Sequence, residues 1–108
     1  MVAEIQPQVL DAMLKAGSPV VLIDVRQPEE NEFVALPNSQ FIPLGELPVR
    51  TAEIDPPAGA LVVVYCHHGI RSRKGAAFLE ASGISPVASL TGGIDAWSQL
   101  VDPTMPRY

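Results

Sequence analysis

Two short runs of apolar, largely β-branched residues constrain the fold of this 108-residue chain more than any other feature. They occupy residues 20–25 and 61–65, and only Asp24 interrupts their apolar character. Neither run alternates between polar and apolar positions, so each predicts a strand that is buried on both faces. Strands of this kind belong to parallel sheets covered by helices. The two runs therefore predict an α/β domain in which helices flank a mostly parallel central sheet.

The rest of the sequence alternates between helical and extended patterns. Apolar residues recur at helical spacing over residues 8–16. Residues 28–33 suit a short helix with an acidic start, and its glutamates are expected to face solvent. Trp97 is expected to pack in the core from a short last helix. Further helices are predicted over residues 45–50 and 72–82, further strands over 40–42 and 87–90, a proline-rich loop over 54–60 and an extended tail over 101–108.

Length and composition limit the classes of function. The chain fits a single domain over residues 1–108, and an apolar fraction of 47% allows a hydrophobic core. A net charge of −5 argues against a nucleic-acid partner, and the one basic cluster (Arg71, Arg73 and Lys74) predicts a site for a small anion. Cys66 is the only cysteine, so no internal disulfide is expected. Without a signal-peptide pattern or an apolar run of membrane-spanning length, we expect a cytoplasmic protein and no membrane contact.

Cys66 stands where ligands bind in an open parallel sheet, directly after the strand predicted over residues 61–65. Only a short loop that contains Gly69 separates it from the next predicted helix. Backbone amides in a tight loop and at a helix N-terminus point toward one spot and carry partial positive charge. Together with the charge of Arg71, they would favour the thiolate of Cys66, which is the nucleophilic form. The loop therefore predicts a reactive cysteine that can hold an anionic sulfur.

Four other polar residues near this edge have competing interpretations. His67 and His68 could bind a metal with Cys66, act in acid–base catalysis, or only line the mouth of the loop. Adjacent residues seldom converge on one ion, so the last interpretation is favoured and no metal is expected. Asp24 and Arg26 follow the other strong strand and form either a polar rim or a structural ion pair. The ion pair is favoured for Asp24, because aspartate readily accepts hydrogen bonds from nearby amides.

Four segments in this order resemble the rhodanese family over nearly the whole chain. They are Asp24-Val25-Arg26, Leu36-Pro37 with Phe41-Ile42-Pro43-Leu44, the segment from Val63 through Cys66 to Ser72, and Leu90-Thr91-Gly92-Gly93-Ile94-Asp95-Ala96-Trp97. The resemblance implies a three-layer rhodanese-like fold and a sulfurtransferase that carries sulfur as a persulfide on Cys66. It implies thiosulfate or a protein-bound persulfide as the donor, and no metal or organic cofactor. The tail is similar to that of rhodanese modules attached to sulfur-activating enzymes, which implies a sulfur-carrier or sulfur-acceptor protein as a partner.

The resemblance also assigns roles to residues. It implies that Cys66 is the catalytic residue and that the amides of the following loop hold the persulfide. The resemblance and the positions at the carboxyl edge of the sheet together give the expected substrate-binding residues, which are His67, His68, Gly69, Ile70, Arg71, Ser72, Asp24 and Arg26. Ala35, Asn31 and the pair Asn38-Ser39 depart from the family pattern, and these departures concern the rim of the pocket and the identity of the substrate.

Two rival functions are compatible with the same sequence. Cysteine phosphatases typically place five residues between cysteine and arginine, whereas four separate Cys66 from Arg71, and the tighter cradle suits a sulfur atom better than a phosphate. A non-catalytic or relay module that acts with a partner protein is the other alternative. In the relay, transfer to a protein would be fast and turnover with cyanide poor.

Overall fold

Five parallel strands form the centre of the fold in the computed structural model, which describes residues 2–108. The strands are β1 (Ala3–Ile5), β2 (Val20–Asp24), β3 (Gln40–Phe41), β4 (Leu61–Tyr65) and β5 (Val87–Leu90). They lie in the order β1-β5-β4-β2-β3, and every pairing is parallel. The register of β2 and β4 runs from Val20 opposite Leu61 to Asp24 opposite Tyr65, so both strands end at the same edge. The predicted parallel sheet is confirmed.

Helices cover both faces of the sheet. They are α1 (Pro7–Lys15), α2 (Pro28–Phe33), α3 (Leu47–Arg50), α4 (Ile70–Ala81) and α5 (Gly93–Leu100), and 3₁₀ turns at Leu44–Glu46 and Thr51–Glu53 flank α3. Successive side chains of a strand point to opposite faces. Val62 and Val64 of β4 therefore share a core cluster with Leu79 of α4. Val63 of β4 instead shares the other cluster with Trp97 of α5, as predicted for that tryptophan. No helix among residues 2–108 is long and apolar enough to cross a membrane.

The boundaries of several elements agree with the sequence patterns, and two elements differ. The helix α4 starts at Ile70, two residues before the predicted start, because Gly69 adopts a left-handed conformation (φ +105°) that ends the loop early. Arg71 therefore belongs to the first helical turn. The strand β1 was not predicted, because three residues with two of them exposed give no apolar pattern.

The prediction of an extended tail is wrong. The amides of Val101 and Asp102 both donate to the carbonyl of Trp97, and the Asp102 carboxylate accepts from Thr104, which turns the chain after α5. Met105 then packs against the same core cluster as Trp97. These turns bring residues 107 and 108 back to the edge of the sheet where β2 and β4 end.

Candidate active site

The thiol of Cys66 lies immediately after β4 and accepts two backbone hydrogen bonds from the following loop. The amide of Gly69 donates to Sγ at 3.0 Å and the amide of Ser72 at 3.3 Å. Both donors belong to the N-terminal turn of α4 or to the residue before it, where backbone amides carry partial positive charge. The residue is only 1% exposed and packs with the core cluster below α4. Two amide donors therefore converge on the sulfur in a confined position.

The first turn of α5 supports the same loop from the other side. The amide of Ile94 donates to the carbonyl of Cys66 at 2.9 Å, and the amide of Asp95 donates to that of His67 at 3.1 Å. This close approach requires glycine at position 93, where φ is +63° and a Cβ atom would lie 2.4 Å and 2.5 Å from the two carbonyl oxygens. The first residues of α5 therefore fix the backbone that carries the thiol.

Two buried serines lie behind the sulfur. The hydroxyl of Ser72 is 3.5 Å from Sγ and 2.7 Å from the hydroxyl of Ser89 in β5. A hydroxyl can accept from a thiol or donate to a thiolate, so Ser72 can follow the protonation state of Cys66. Sequence reasoning missed Ser89, because nothing in its local pattern marks it as a neighbour of the loop.

The loop pattern suggested that the charge of Arg71 acts on the sulfur alone. In the structure that charge is instead paired with a carboxylate. The guanidinium of Arg71 makes a two-pronged pair with the carboxylate of Glu30, with contacts of 2.6 Å and 3.0 Å. The expectation that Glu30 faces solvent is therefore wrong. The hydrogen bond from Arg71 is the main reason that the pKa of Glu30 is lowered to about 2, and the same bond raises the pKa of Arg71. Both groups stay charged at neutral pH.

Asp24 and Arg26 form a buried ion pair in place of an exposed rim. Arg26 donates from Nε to Asp24 Oδ1 at 2.9 Å and from Nη2 to Oδ2 at 2.8 Å. Both side chains are 0% exposed, so neither can touch a substrate that enters from solvent. Asn31, one of the departures from the family pattern, donates to Asp24 Oδ2 at 2.8 Å. The pair fixes the end of β2 beneath the rim of the site.

Tyr108 is a site neighbour that motif reasoning did not single out. Its hydroxyl accepts from Arg26 Nη1 at 2.9 Å and donates to Glu30 Oε2 at 2.8 Å. Its ring stacks on that of His67, with centroids 3.8 Å apart and planes 11° from parallel. Burial is the main reason that the pKa of Tyr108 rises to about 12, so the hydroxyl keeps its proton at neutral pH. The only sequence signal was the likeness of the tail to other rhodanese modules.

His67, His68 and Asp95 form a cluster whose ligand atoms lie within 4.8 Å of one another. The two histidine rings are stacked on each other, with centroids 3.8 Å apart and planes 28° apart. Arg107 also occupies the Asp95 carboxylate at 3.0 Å. Burial, followed by the charge of His68, lowers the pKa of His67 and keeps that ring neutral at neutral pH. The geometry disfavours a metal site here.

Comparison with known proteins decides the family. The family profile described as Rhodanese-like domain matches residues 6–100. The chain belongs to the rhodanese-like domain family. A sulfurtransferase from Allochromatium vinosum is 36% identical over 99 residues, covering 92% of this chain and 91% of the relative. The thiosulfate sulfurtransferase GlpE of Pseudomonas syringae pv. syringae is 35% identical over 95 residues, covering 86% of this chain and 84% of the relative.

Solved structures agree with this assignment. The crystal structure of a rhodanese-like domain protein from Staphylococcus aureus has a TM-score of 0.82 and 28% sequence identity, and the match covers 99% of each chain. Other relatives are larger proteins named adenylyltransferase and sulfurtransferase, and this chain spans between 20% and 26% of their length. The rhodanese-like domain thus occurs both alone and as a part of longer proteins.

Within this rhodanese-like domain, the structure separates the predicted loop residues into three groups. Gly69 and Ser72 contact the sulfur directly, and His67 and Arg71 form the two flanks of the loop. His68 and Ile70 turn their side chains to solvent, the latter with 62% exposed.

A cavity of about 380 Å³ lies elsewhere, among residues of the opposite core cluster that include Leu22 and Trp97.

Proposed function

We propose that this protein is a sulfurtransferase that carries sulfane sulfur as a persulfide on Cys66. The observation that carries the proposal is the pair of backbone amides, from Gly69 and Ser72, that converge on Sγ at 3.0 Å and 3.3 Å. Amides directed at a sulfur atom stabilise the thiolate before reaction and the leaving thiolate afterwards. The names of the relatives that match over most of their length support the same reaction class.

The first half-reaction is a displacement at sulfur. The Cys66 thiolate attacks the outer sulfur of thiosulfate, a new S–S bond forms, and the old S–S bond breaks with its electron pair leaving on sulfite. In the second half-reaction a thiophilic acceptor, such as cyanide or a thiolate, attacks the outer sulfur of the persulfide. The Cys66 thiolate leaves with its electron pair, which restores the starting state. No external oxidant or reductant is needed, because each step exchanges one bond at sulfur for another.

The donor is expected to be small and anionic. Cys66 is 1% exposed, so only a small reagent can reach its sulfur. Arg71 lies in the first turn of α4 and bears a charge that attracts anions, although Glu30 shares it. Thiosulfate meets both requirements, and one relative is named for that donor. A small persulfide is the other donor class that suits this site.

A relay to a protein acceptor is the second candidate. The observation that favours it is the match to larger proteins named adenylyltransferase and sulfurtransferase, in which such a domain accompanies another activity. In a relay, the persulfide forms in the same way but is passed to a partner protein. Transfer to cyanide would then be slow compared with transfer to the partner.

Intact-mass measurement after incubation with thiosulfate tests the proposal. We expect a gain of one sulfur atom that a reductant removes, and we expect no gain in Cys66→Ser, because the chain has no other cysteine. The serine variant should unfold at nearly the same temperature, since it replaces one small buried group with another. Absence of the sulfur adduct in the wild-type protein, from thiosulfate and from a small persulfide alike, would refute the persulfide mechanism.

A parallel assay separates the rival chemistry. A phosphotyrosine analogue should not be hydrolysed, because only four residues separate Cys66 from Arg71 and the loop amides already converge on a single sulfur atom. Cysteine-dependent hydrolysis of that analogue, without any sulfur adduct, would favour a phosphatase instead.

A further inference from the structure

Tyr108 contacts residues next to both ends of the Cys66 loop. Its ring stacks on His67, the first residue after Cys66, with centroids 3.8 Å apart. Its hydroxyl donates to Glu30, which in turn holds the guanidinium of Arg71. The stacking contacts the first residue of the loop, and the hydrogen bonds through Glu30 reach Arg71 in the first turn of α4. One side chain therefore links the two flanks of the site.

The position of this side chain is set by other parts of the molecule. The hydroxyl accepts from Nη1 of Arg26, and Arg26 is fully buried with its remaining donors on Asp24 and on backbone carbonyls. The preceding residue, Arg107, pairs with Asp95 at 3.0 Å. Asp95 also donates its amide to the carbonyl of His67. The hydroxyl of Tyr108 is therefore held by Arg26, and the residue before it is paired with Asp95 of α5.

We propose that Tyr108 is a positioning residue for sulfur transfer, a role that rests on the proposed function. Through Glu30, its hydroxyl keeps the guanidinium of Arg71 at the mouth of the loop, where an anionic donor must bind. Through His67, its ring keeps the loop in the shape that directs backbone amides at Cys66. A fixed guanidinium loses less rotamer entropy when it binds an anion than a mobile one does. The hydroxyl is therefore assigned to donor binding and the ring to the rate of transfer.

Two variants at this position separate the two contributions. In Tyr108→Phe the stacking remains and the bonds to Glu30 and Arg26 are lost, so the KM for thiosulfate should rise about threefold with kcat nearly unchanged. In Tyr108→Ala the stacking is lost as well, so kcat should also fall, by about fivefold. Ser82→Ala is the control, because it also removes one hydroxyl hydrogen bond, to the carbonyl of Phe78, but at the end of α4 that lies away from Cys66. This control should change neither constant.

A double-variant cycle tests the route through Glu30. If the hydroxyl of Tyr108 acts on Arg71 through Glu30, then Tyr108→Phe should have no further effect on KM in a Glu30→Ala background. Independent effects that multiply would show that the hydroxyl acts by another route and would overturn this part of the proposal. The melting temperature of every variant is measured as well, so that a change in the kinetic constants caused by a loss of stability is recognised.

Two results would overturn the positioning role itself. A rise in kcat/KM for Tyr108→Ala would mean that the side chain obstructs access to Cys66. Kinetic constants equal to those of Ser82→Ala would mean that Tyr108 has no role beyond the fold. Both results are read against a wild-type protein that gains its sulfur atom from thiosulfate, so failure here is distinct from failure of the persulfide mechanism.

Discussion

Replacement of Gly93 by alanine tests how closely the first turn of α5 must approach the Cys66 loop. A Cβ atom at this position would lie 2.4 Å from the carbonyl oxygen of His67 and 2.5 Å from that of Cys66, whereas ordinary contacts begin at 3.4 Å. The two segments must separate by about 1 Å, which takes the bonds from Ile94 and Asp95 to those carbonyls beyond hydrogen-bond range.

The cost can be estimated from these contacts. Each lost hydrogen bond costs about 1 kcal/mol, and alanine at a φ of +63° adds about 1 kcal/mol. Gly93→Ala should therefore reduce the free energy of unfolding by about 3 kcal/mol, a large part of the roughly 5–15 kcal/mol typical of a domain. For a chain of this length the melting temperature should fall by about 12 °C. Persulfide formation from thiosulfate should slow as well, because the shifted carbonyls belong to the residues that place the thiol.

Gly17→Ala is the control for this experiment. Gly17 also has a positive φ, of +74°, but a Cβ atom there would meet nothing within 4 Å. This variant adds only the cost of alanine at a positive φ and loses no hydrogen bond. Its melting temperature should therefore fall by only about 4 °C, and sulfur loading should be unchanged. Equal losses of stability in the two variants, measured by thermal and urea unfolding, would refute the claim that α5 holds the loop through this close approach.

Two further predictions concern the polar groups around the sulfur. The lowered pKa of Glu30, about 2 against an ordinary 4.5, means that its carboxylate stabilises the fold fully above pH 4.5 and loses that effect as the pH falls toward 2. Urea unfolding should therefore show a loss of about 1–3 kcal/mol on acidification in the wild type that Glu30→Gln largely lacks, and identical pH profiles would contradict the pairing with Arg71. Ser89→Ala removes the 2.7 Å partner of the Ser72 hydroxyl and should lower the free energy of unfolding by about 1 kcal/mol, while an unchanged stability would show that water replaces that partner.

The parts of the fold that sequence predicted well depend on short-range signals. The apolar β-branched run of β4 and the acidic, proline-started turn of α2 matched the structure residue for residue, because each signal lies within the element itself. The position of Cys66 followed from the end of β4. Gly93 was present in the motif that resembles the family, but only the structure shows which backbone atoms its missing side chain makes room for.

The parts that sequence did not predict depend on contacts between distant segments. Glu30 and Arg71 are 41 positions apart, and Tyr108 and Glu30 are 78 positions apart. A glutamate in an exposed-looking helix gives no local sign of such partners. The tail was predicted to be extended because its prolines disfavour regular structure, whereas the Asp102 turn and the packing of Met105 direct it back toward the site.

The helix α2 has no buried residue, and its ties to the rest of the molecule include the polar contacts of Glu30 and Asn31. Such a segment can open locally without disturbing the apolar core, so its amides should exchange with solvent far sooner than those of β4. Substitutions in α2 at positions other than Glu30 and Asn31 can accordingly change the surface beside Arg71 at little cost to folding. For the proposed sulfur transfer, the choice of donor can therefore change through α2 without any change in the loop that holds Cys66.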